Sequence, residues 1–243
     1  MSDEHINTFM SMNKKATGTR HVGRSEMQRD SILKAASKLF IEKGFGGTSM
    51  LDIADSLGVT RPAIYYYFPN KESILESLTD EITRKAGNLT TNILDQSKQT
   101  KPEELLRKIL IAHALLVLTH PMEFRVVERS ESSLSEMGRT TAEAARKAVL
   151  ANFVIVIQKG VDEGVFQVPN VYTAAFSILG MCNWTAWWFD GDDQQASQVA
   201  EQIAELALRT VVKNKQREFR STSARESLQL LRDQIDLLER QLY

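Results

Sequence analysis

T-S-M-L-D-I-A-D-S-L-G-V-T-R-P-A-I-Y-Y-Y-F-P-N-K, residues 48–71, encodes two short helices separated by one turn. Thr48 stands where an N-cap belongs. Met50, Ile53, Ala54 and Leu57 follow at the three-and-four spacing that gathers apolar side chains on one buried face. Gly58 ends that helix, because glycine adopts the left-handed conformation of a C-terminal cap without a Cβ clash. Val59 is then expected to turn inward and Thr60 to cap a second helix. Arg61 and Pro62 fill its first turn, where a proline breaks no hydrogen bond, and Ala63 and Ile64 face back onto the first helix.

A helix, a glycine turn and a second helix make a helix-turn-helix, whose second helix fits the major groove of DNA. The continuation Tyr65-Tyr66-Tyr67-Phe68-Pro69-Asn70-Lys71-Glu72 sharpens this reading. Successive residues of a helix fan out by about 100°, so three tyrosines in a row cannot all be buried, and one or two must present a hydroxyl outward. Phe68 is the expected core anchor. Upstream, Ser25 and Gln28 form a capping box that opens a helix with the face Ile32, Ala35, Ala36, Leu39 and Phe40, ended by Gly44.

Residues 32–75 resemble the DNA-binding head of the TetR family of bacterial repressors. The resemblance rests on Ala36, Leu39, Phe40, Gly44 and Phe45, then Thr48, Ile53, Ala54, Gly58, Val59 and Thr60, then Tyr65, Phe68, Lys71, Glu72 and Leu75. It covers under a fifth of the chain, but the motifs are specific. Pro62 stands where the family often has a small residue such as glycine, and Tyr67 where it often has histidine. The resemblance implies a homodimer whose two heads bind successive major grooves of a double-stranded operator, and a helical body that holds a small-molecule effector. Thr48, Thr60, Arg61, Pro62, Tyr65, Tyr66, Tyr67 and Lys71 are the candidate DNA contacts. Arg61 has the forked donors that match guanine, Thr48 sits at a helix N-terminus suited to phosphate, and Lys71 matches the family's phosphate-contacting lysine.

The charge distribution agrees with a nucleic-acid reader. The whole chain carries −1, yet residues 14–71 hold ten Lys and Arg against five Asp and Glu. Residues 1–24 read as a disordered basic arm, with Lys14, Lys15, Arg20 and Arg24 among polar residues. Residues 25–70 form the head. One cysteine, Cys182, allows no internal disulfide, no apolar run is long enough to span a bilayer, and no leader precedes the acidic start, so a cytoplasmic protein without membrane contact is expected.

Residues 71–215 read as an all-α body for effector binding and dimerisation, because no period-two run of strand length occurs. Asn70 caps a lever helix over 71–95 that joins head to body. Further helices are expected up to Thr119, through Phe124 to Val127, over 139–160, over 171–189, and over 196–212 with Val199, Ile203, Leu206 and Val211 inward; 130–138 reads as a loop. All three tryptophans fall within the run Trp184 to Trp188. Trp184, Trp187 and Trp188 are candidates for an apolar effector pocket or for core and interface packing, with Met122, Phe153 and Phe176 as candidates of the same kind. Arg125 is a candidate for an anionic head group.

Catalysis has no support in the sequence. His5, His21, His113 and His120 lack metal-ligand spacing, no phosphate loop or nucleophile elbow occurs, and no cofactor is implied. The reading is a ligand-responsive transcription regulator, a repressor released by an apolar or amphipathic effector such as a fatty acid or acyl-CoA. The alternative is an architectural or cell-division DNA-binding factor of the same fold with no inducer. Residues 216–243 are a linker and an added helix. There Leu228, Leu231, Ile235, Leu238 and Leu242 step by three and four, a heptad stripe suited to pairing with another subunit in a higher oligomer, or to docking on the chain's own body.

Overall fold

The computed structural model describes residues 27–97, 99–213, 228–229, 231–235 and 239. Helix α1 covers 27–42. It is followed by α2 (Met50–Leu57), α3 (Arg61–Tyr67), α4 (Lys71–Gln96), α5 (Pro102–Thr119) and α6 (Pro121–Ser130). A 3-10 turn at Glu131–Ser133 leads to α7 (Glu136–Asp162), α8 (Val171–Trp188) and α9 (Asp193–Val211). The fold is all-α. Strand-like pairing among the described residues is limited to an isolated bridge between Phe166 and Val212. The basic arm and the Ser25 cap lie outside the described residues.

Ile32, Ala36 and Phe40 of α1, Ile53 and Ala54 of α2, Ile64 of α3 and the anchor Phe68 share one buried cluster. Gly58 closes α2 in the left-handed conformation, at φ 64°. The cap of α2 is Ser49 and not Thr48. The Asp52 amide donates to Ser49 Oγ at 3.1 Å, and the Asp52 carboxylate accepts from the Ser49 amide at 2.9 Å, a reciprocal capping box. Thr48 is buried, and its hydroxyl donates back to the carbonyls of Gly44 at 2.9 Å and Leu39 at 3.2 Å. Its polar group closes the turn after α1, which leaves the cap to its neighbour. Val59 and Ala63 are exposed, contrary to expectation. The left-handed turn at Gly58 leaves Val59 outside, and α3 is so short that Ile64 is its one fully inward residue.

The Asn70 side chain accepts from the Ser73 amide at 2.8 Å and so starts α4 as expected. At 1.5 Å per residue, the helix reaches about 39 Å. Its first turns supply Ile74, Leu75 and Leu78 to the head cluster, while Ala86 belongs to the body cluster. The head cluster also takes Val126 from α6, Leu134, and Ala142 from α7. Two elements, α4 and α7, therefore contribute to both cores, and α6 reaches the head core through Val126.

Residues 130–138 are not a loop. The serines that suggested one are a 3-10 turn and a cap, with the Gly138 amide donating to Ser135 Oγ at 3.0 Å to open α7. In α9, Ile203 and Val211 are buried and Val199 is partly so, but Leu206 is exposed because it lies on the face opposite to Ala200, Ala204 and Ala207, the residues packed in the core. Gly160 is where Phe166 crosses α7: a Cβ there would lie 2.0 Å from the phenyl ring. Among the described residues no single helix is long and apolar enough to cross a membrane.

Candidate DNA-binding face and effector cavity

Helix α3 presents Arg61, Pro62, Tyr65 and Tyr66 to solvent, with Tyr66 81 % exposed. This follows from its length: with Ile64 pinned inward and Phe68 buried just beyond, the remaining positions face out. Arg61 Nη2 donates to the Tyr65 hydroxyl at 2.9 Å, and the guanidinium lies over the same ring. Tyr67 is half-buried, and its hydroxyl donates to Gln28 Oε1 on α1 at 2.6 Å. Thr60 is the N-cap residue of α3 by backbone position, without a side-chain cap bond.

A shallow depression beside α3 is bordered by Gly46, Ser49, Tyr65, Asn70 and Lys71. Lys71 is not a free surface cation. Its ammonium donates to the carbonyls of Phe45 at 2.9 Å and Thr48 at 3.1 Å, and it sits over the Phe45 ring. An ammonium has three donors, so most of its bonding capacity already ties the 45–48 turn to the start of α4. Of the expected DNA residues, Arg61, Pro62, Tyr65 and Tyr66 share one open face, Tyr67 and Lys71 brace it, and Thr48 lies inside. Sequence reading missed Ser49 and Lys43. The Lys43 ammonium and the Ser49 hydroxyl and amide hold the Asp52 carboxyl well below the usual carboxylate range, which fixes the entry to α2.

In the body, a cavity of about 490 Å³ lies between α4, α5, α6, α7 and α8. Ile82, Ala86, Val127, Val149, Leu150 and Leu179 make it largely apolar. Its charged residues are exposed or half-exposed: Arg146 pairs with Glu131 and Lys147 with Glu143 at 2.6 Å, while Glu128 accepts from the Trp187 indole. The Lys147 hydrogen bond lowers the Glu143 pKa, and the same bond raises that of Lys147. The buried His113 of α5 meets the exposed Asn183 of α8 in the wall, with His113 Nε2 3.0 Å from Asn183 Oδ1. Burial lowers the His113 pKa, so the imidazole is neutral near pH 7.

Phe176 is the one expected effector residue that lines this cavity. Trp184 and Trp188 are more than half exposed and follow Tyr172, Phe176 and Gly180, three exposed residues that also line the cavity, at four-residue steps along α8. Trp187 turns to α6 instead. Its indole donates to Glu128 at 3.1 Å, and Arg129 and Arg125 cover the ring at 4.8 and 5.7 Å. Arg125 also donates to the Ala186 carbonyl and lies beside Met122, so it is a strut between α6 and α8 and not a cavity cation. Phe153 is fully buried behind His113, with ring centroids 5.8 Å apart. The reading missed His113 and Asn183, for which the available signal was one polar residue inside the apolar run 109–118.

Two family models match the chain. The one described as bacterial regulatory proteins, tetR family, matches residues 32–78, and the one described as tetracyclin repressor-like, C-terminal domain, matches residues 99–211. The transcriptional repressor KstR2 of Mycolicibacterium smegmatis is 24 % identical over 184 residues, which is 74 % of this chain and 89 % of that protein. A crystal structure of the TetR-family regulator PfmR from Thermus thermophilus aligns with TM-score 0.66 and 32 % identity, covering 73 % of this chain and 97 % of that one. AibR in complex with isovaleryl coenzyme A and operator DNA aligns with TM-score 0.58 and 25 % identity, covering 73 % of this chain and 96 % of that one.

Proposed function

The chain belongs to the TetR family of helix-turn-helix transcription regulators, and from that premise we propose that it is a homodimeric, cytoplasmic repressor released from its operator by an effector bound in the body cavity. The observation that carries the proposal is the open face of α3: Arg61, Tyr65 and Tyr66 stand together on the helix that a helix-turn-helix inserts into the major groove. Arg61 is the base reader, because a guanidinium offers paired donors to the O6 and N7 of guanine. The tyrosine hydroxyls and the turn braced by Lys71 serve the phosphates.

Dimerisation is supported by the outward row Tyr172, Phe176, Gly180, Trp184 and Trp188 on α8, a contiguous apolar stripe that a soluble monomer rarely leaves in water. A two-fold interface places the same stripe on both subunits. The effector role is supported by the position of α6. Val126 lies in the head core while its neighbours Phe124 and Val127 line the cavity, and Ile82 of α4 lines it as well. A ligand acts there only through a difference in affinity between the DNA-bound and released arrangements. The acyl-CoA complex of AibR supports an amphipathic effector as the class.

The experiment is to select the DNA fragments that the purified protein binds, then to titrate the complex with acyl-CoAs, fatty acids and neutral aromatic compounds. Saturable release by one class is expected. Specific binding that no compound releases would favour an architectural DNA-binding factor.

A further inference from the structure

The rim of the cavity runs along the exposed aromatic row of α8. Tyr172, Phe176 and Gly180 line the cavity, yet Tyr172 is 59 % and Phe176 64 % exposed, their rings stacked at 6.4 Å with planes 14° apart. Two large rings thus form one lip of an apolar space and stand in water. The row continues past the cavity to Trp184 and Trp188, which do not line it.

This row is symmetric about Gly180: Phe176 and Trp184 lie one four-residue step to either side, and Tyr172 and Trp188 lie two. A glycine inside a helix is less stable there than alanine, and packing within the subunit does not require it, since a Cβ added at Gly180 would meet no packed neighbour within 4 Å. A close approach from outside the subunit accounts for it. Two crossing helices diverge away from their crossing point, and the row has the matching shape, with no side chain at its centre and large rings toward both ends. A two-fold axis through Gly180 sets two copies of α8 antiparallel, so each residue faces the one equally far on the other side of the glycine.

We infer that two subunits cross at Gly180 and that Trp184 of the partner subunit covers Phe176 and closes the mouth of the cavity, so that each effector site is completed by the other chain. The inference rests on the reading of the α8 row as the dimer interface and of the cavity as the effector site. Aromatic rings meet aromatic rings in this arrangement, a contact that adds to the burial of their area. Its consequence is linkage. An apolar ligand binds the closed cavity of the dimer more tightly than the open cavity of a lone subunit, and by reciprocity each ligand bound tightens the dimer by the same factor.

The test uses the full chain and has two arms. In the first, mild oxidation should join Gly180→Cys chains by a disulfide, and an equal mixture of Phe176→Cys and Trp184→Cys chains should cross-link more than either alone. Trp188→Cys should not cross-link to itself, because sixteen residues of helix hold its two copies about 24 Å apart. The wild type is the control, with Cys182 buried. Self-linking at Trp188→Cys without linking at Gly180→Cys would overturn the crossing. In the second arm, the fluorescent apolar probe N-phenyl-1-naphthylamine is titrated into wild type and Trp184→Ala at concentrations where sedimentation equilibrium shows dimers. The variant should bind it about 5-fold more weakly, although Trp184 does not line the cavity of its own subunit. A variant that no longer dimerises should show at least the same loss. Equal affinity in the two proteins, or no binding to the wild-type dimer, would overturn the inference. Closure by the partner without release of operator DNA by any cavity ligand would support it and overturn the effector reading.

Discussion

Arg61 Nη2 donates to the Tyr65 hydroxyl at 2.9 Å, and the guanidinium carbon lies 5.3 Å from the centre of the Tyr65 ring. The two residues are one turn apart on α3. The tyrosine therefore holds the arginine along the exposed face before DNA arrives, which limits the side-chain freedom lost when a base is read.

Arg61→Ala should cost about 1–3 kcal/mol on the operator and much less on random DNA, as expected for loss of a base contact. Lys71→Ala should weaken both alike and also lower the thermal midpoint, because the ammonium holds the carbonyls of Phe45 and Thr48. Fluorescence anisotropy on both DNAs measures each effect. Equal losses for Arg61→Ala on the two DNAs would remove it from base reading.

His113 sets a pH dependence. Burial, packed between Phe124 and Phe153, holds its folded pKa below the ordinary 6.5 against the hydrogen bond with Asn183, which raises it, so the unfolded chain takes up the proton first. Its contribution is complete above pH 6.5 and is lost as the pH falls, by up to about 1.4 kcal/mol per unit. Urea unfolding at pH 7.5 and 5.5 should show the wild type losing more stability than His113→Gln, by at most about 1.4 kcal/mol. Equal losses would place the imidazole in solvent.

Gly160→Ala should destabilise the body by about 1–3 kcal/mol, through overpacking against Phe166. The added carbon would meet the ring at 2.0 Å, and the Phe166 amide already donates to the Gly160 carbonyl at 2.9 Å, so the ring is held in place on both counts. Chemical denaturation of the purified variant measures the loss, and an unchanged midpoint would show that the ring moves freely.

The tail has its own test. Leu228, Leu231 and Ile235 are each more than half exposed; Leu238 and Leu242 lie outside the described residues. A stripe of that spacing is suited to pairing with the same helix of another copy. Cutting the chain after Lys215 should weaken the dimer or reduce a tetramer to a dimer in sedimentation equilibrium. An unchanged mass distribution across dilution would reject the pairing.

The DNA-binding head was legible because its determinants are local. Gly58, Ile64, Phe68 and Asn70 each do what their spacing implies. Thr48 and Ser49 were exchanged because two adjacent hydroxyl residues are both competent caps, and only the packing of the turn after Gly44 decides which one turns inward. The cavity was not legible. Five helices contribute to its wall, and no local period marks residues that meet only after folding. The tryptophan run misled for a related reason: adjacent positions on one helix face different neighbours, so Trp187 braces α6 while Trp184 and Trp188 face outward.

The most direct test of the central claim is a footprint of the protein on its selected DNA, with and without the effector that the titration identifies. Two protected half-sites related by a two-fold axis are predicted, their centres one helical turn (about 34–36 Å) or a whole multiple of it apart. Arg61→Ala should weaken protection of both halves equally, and the effector should clear both together. A single unsymmetrical footprint, or a symmetric one that no cavity ligand clears, would contradict the account.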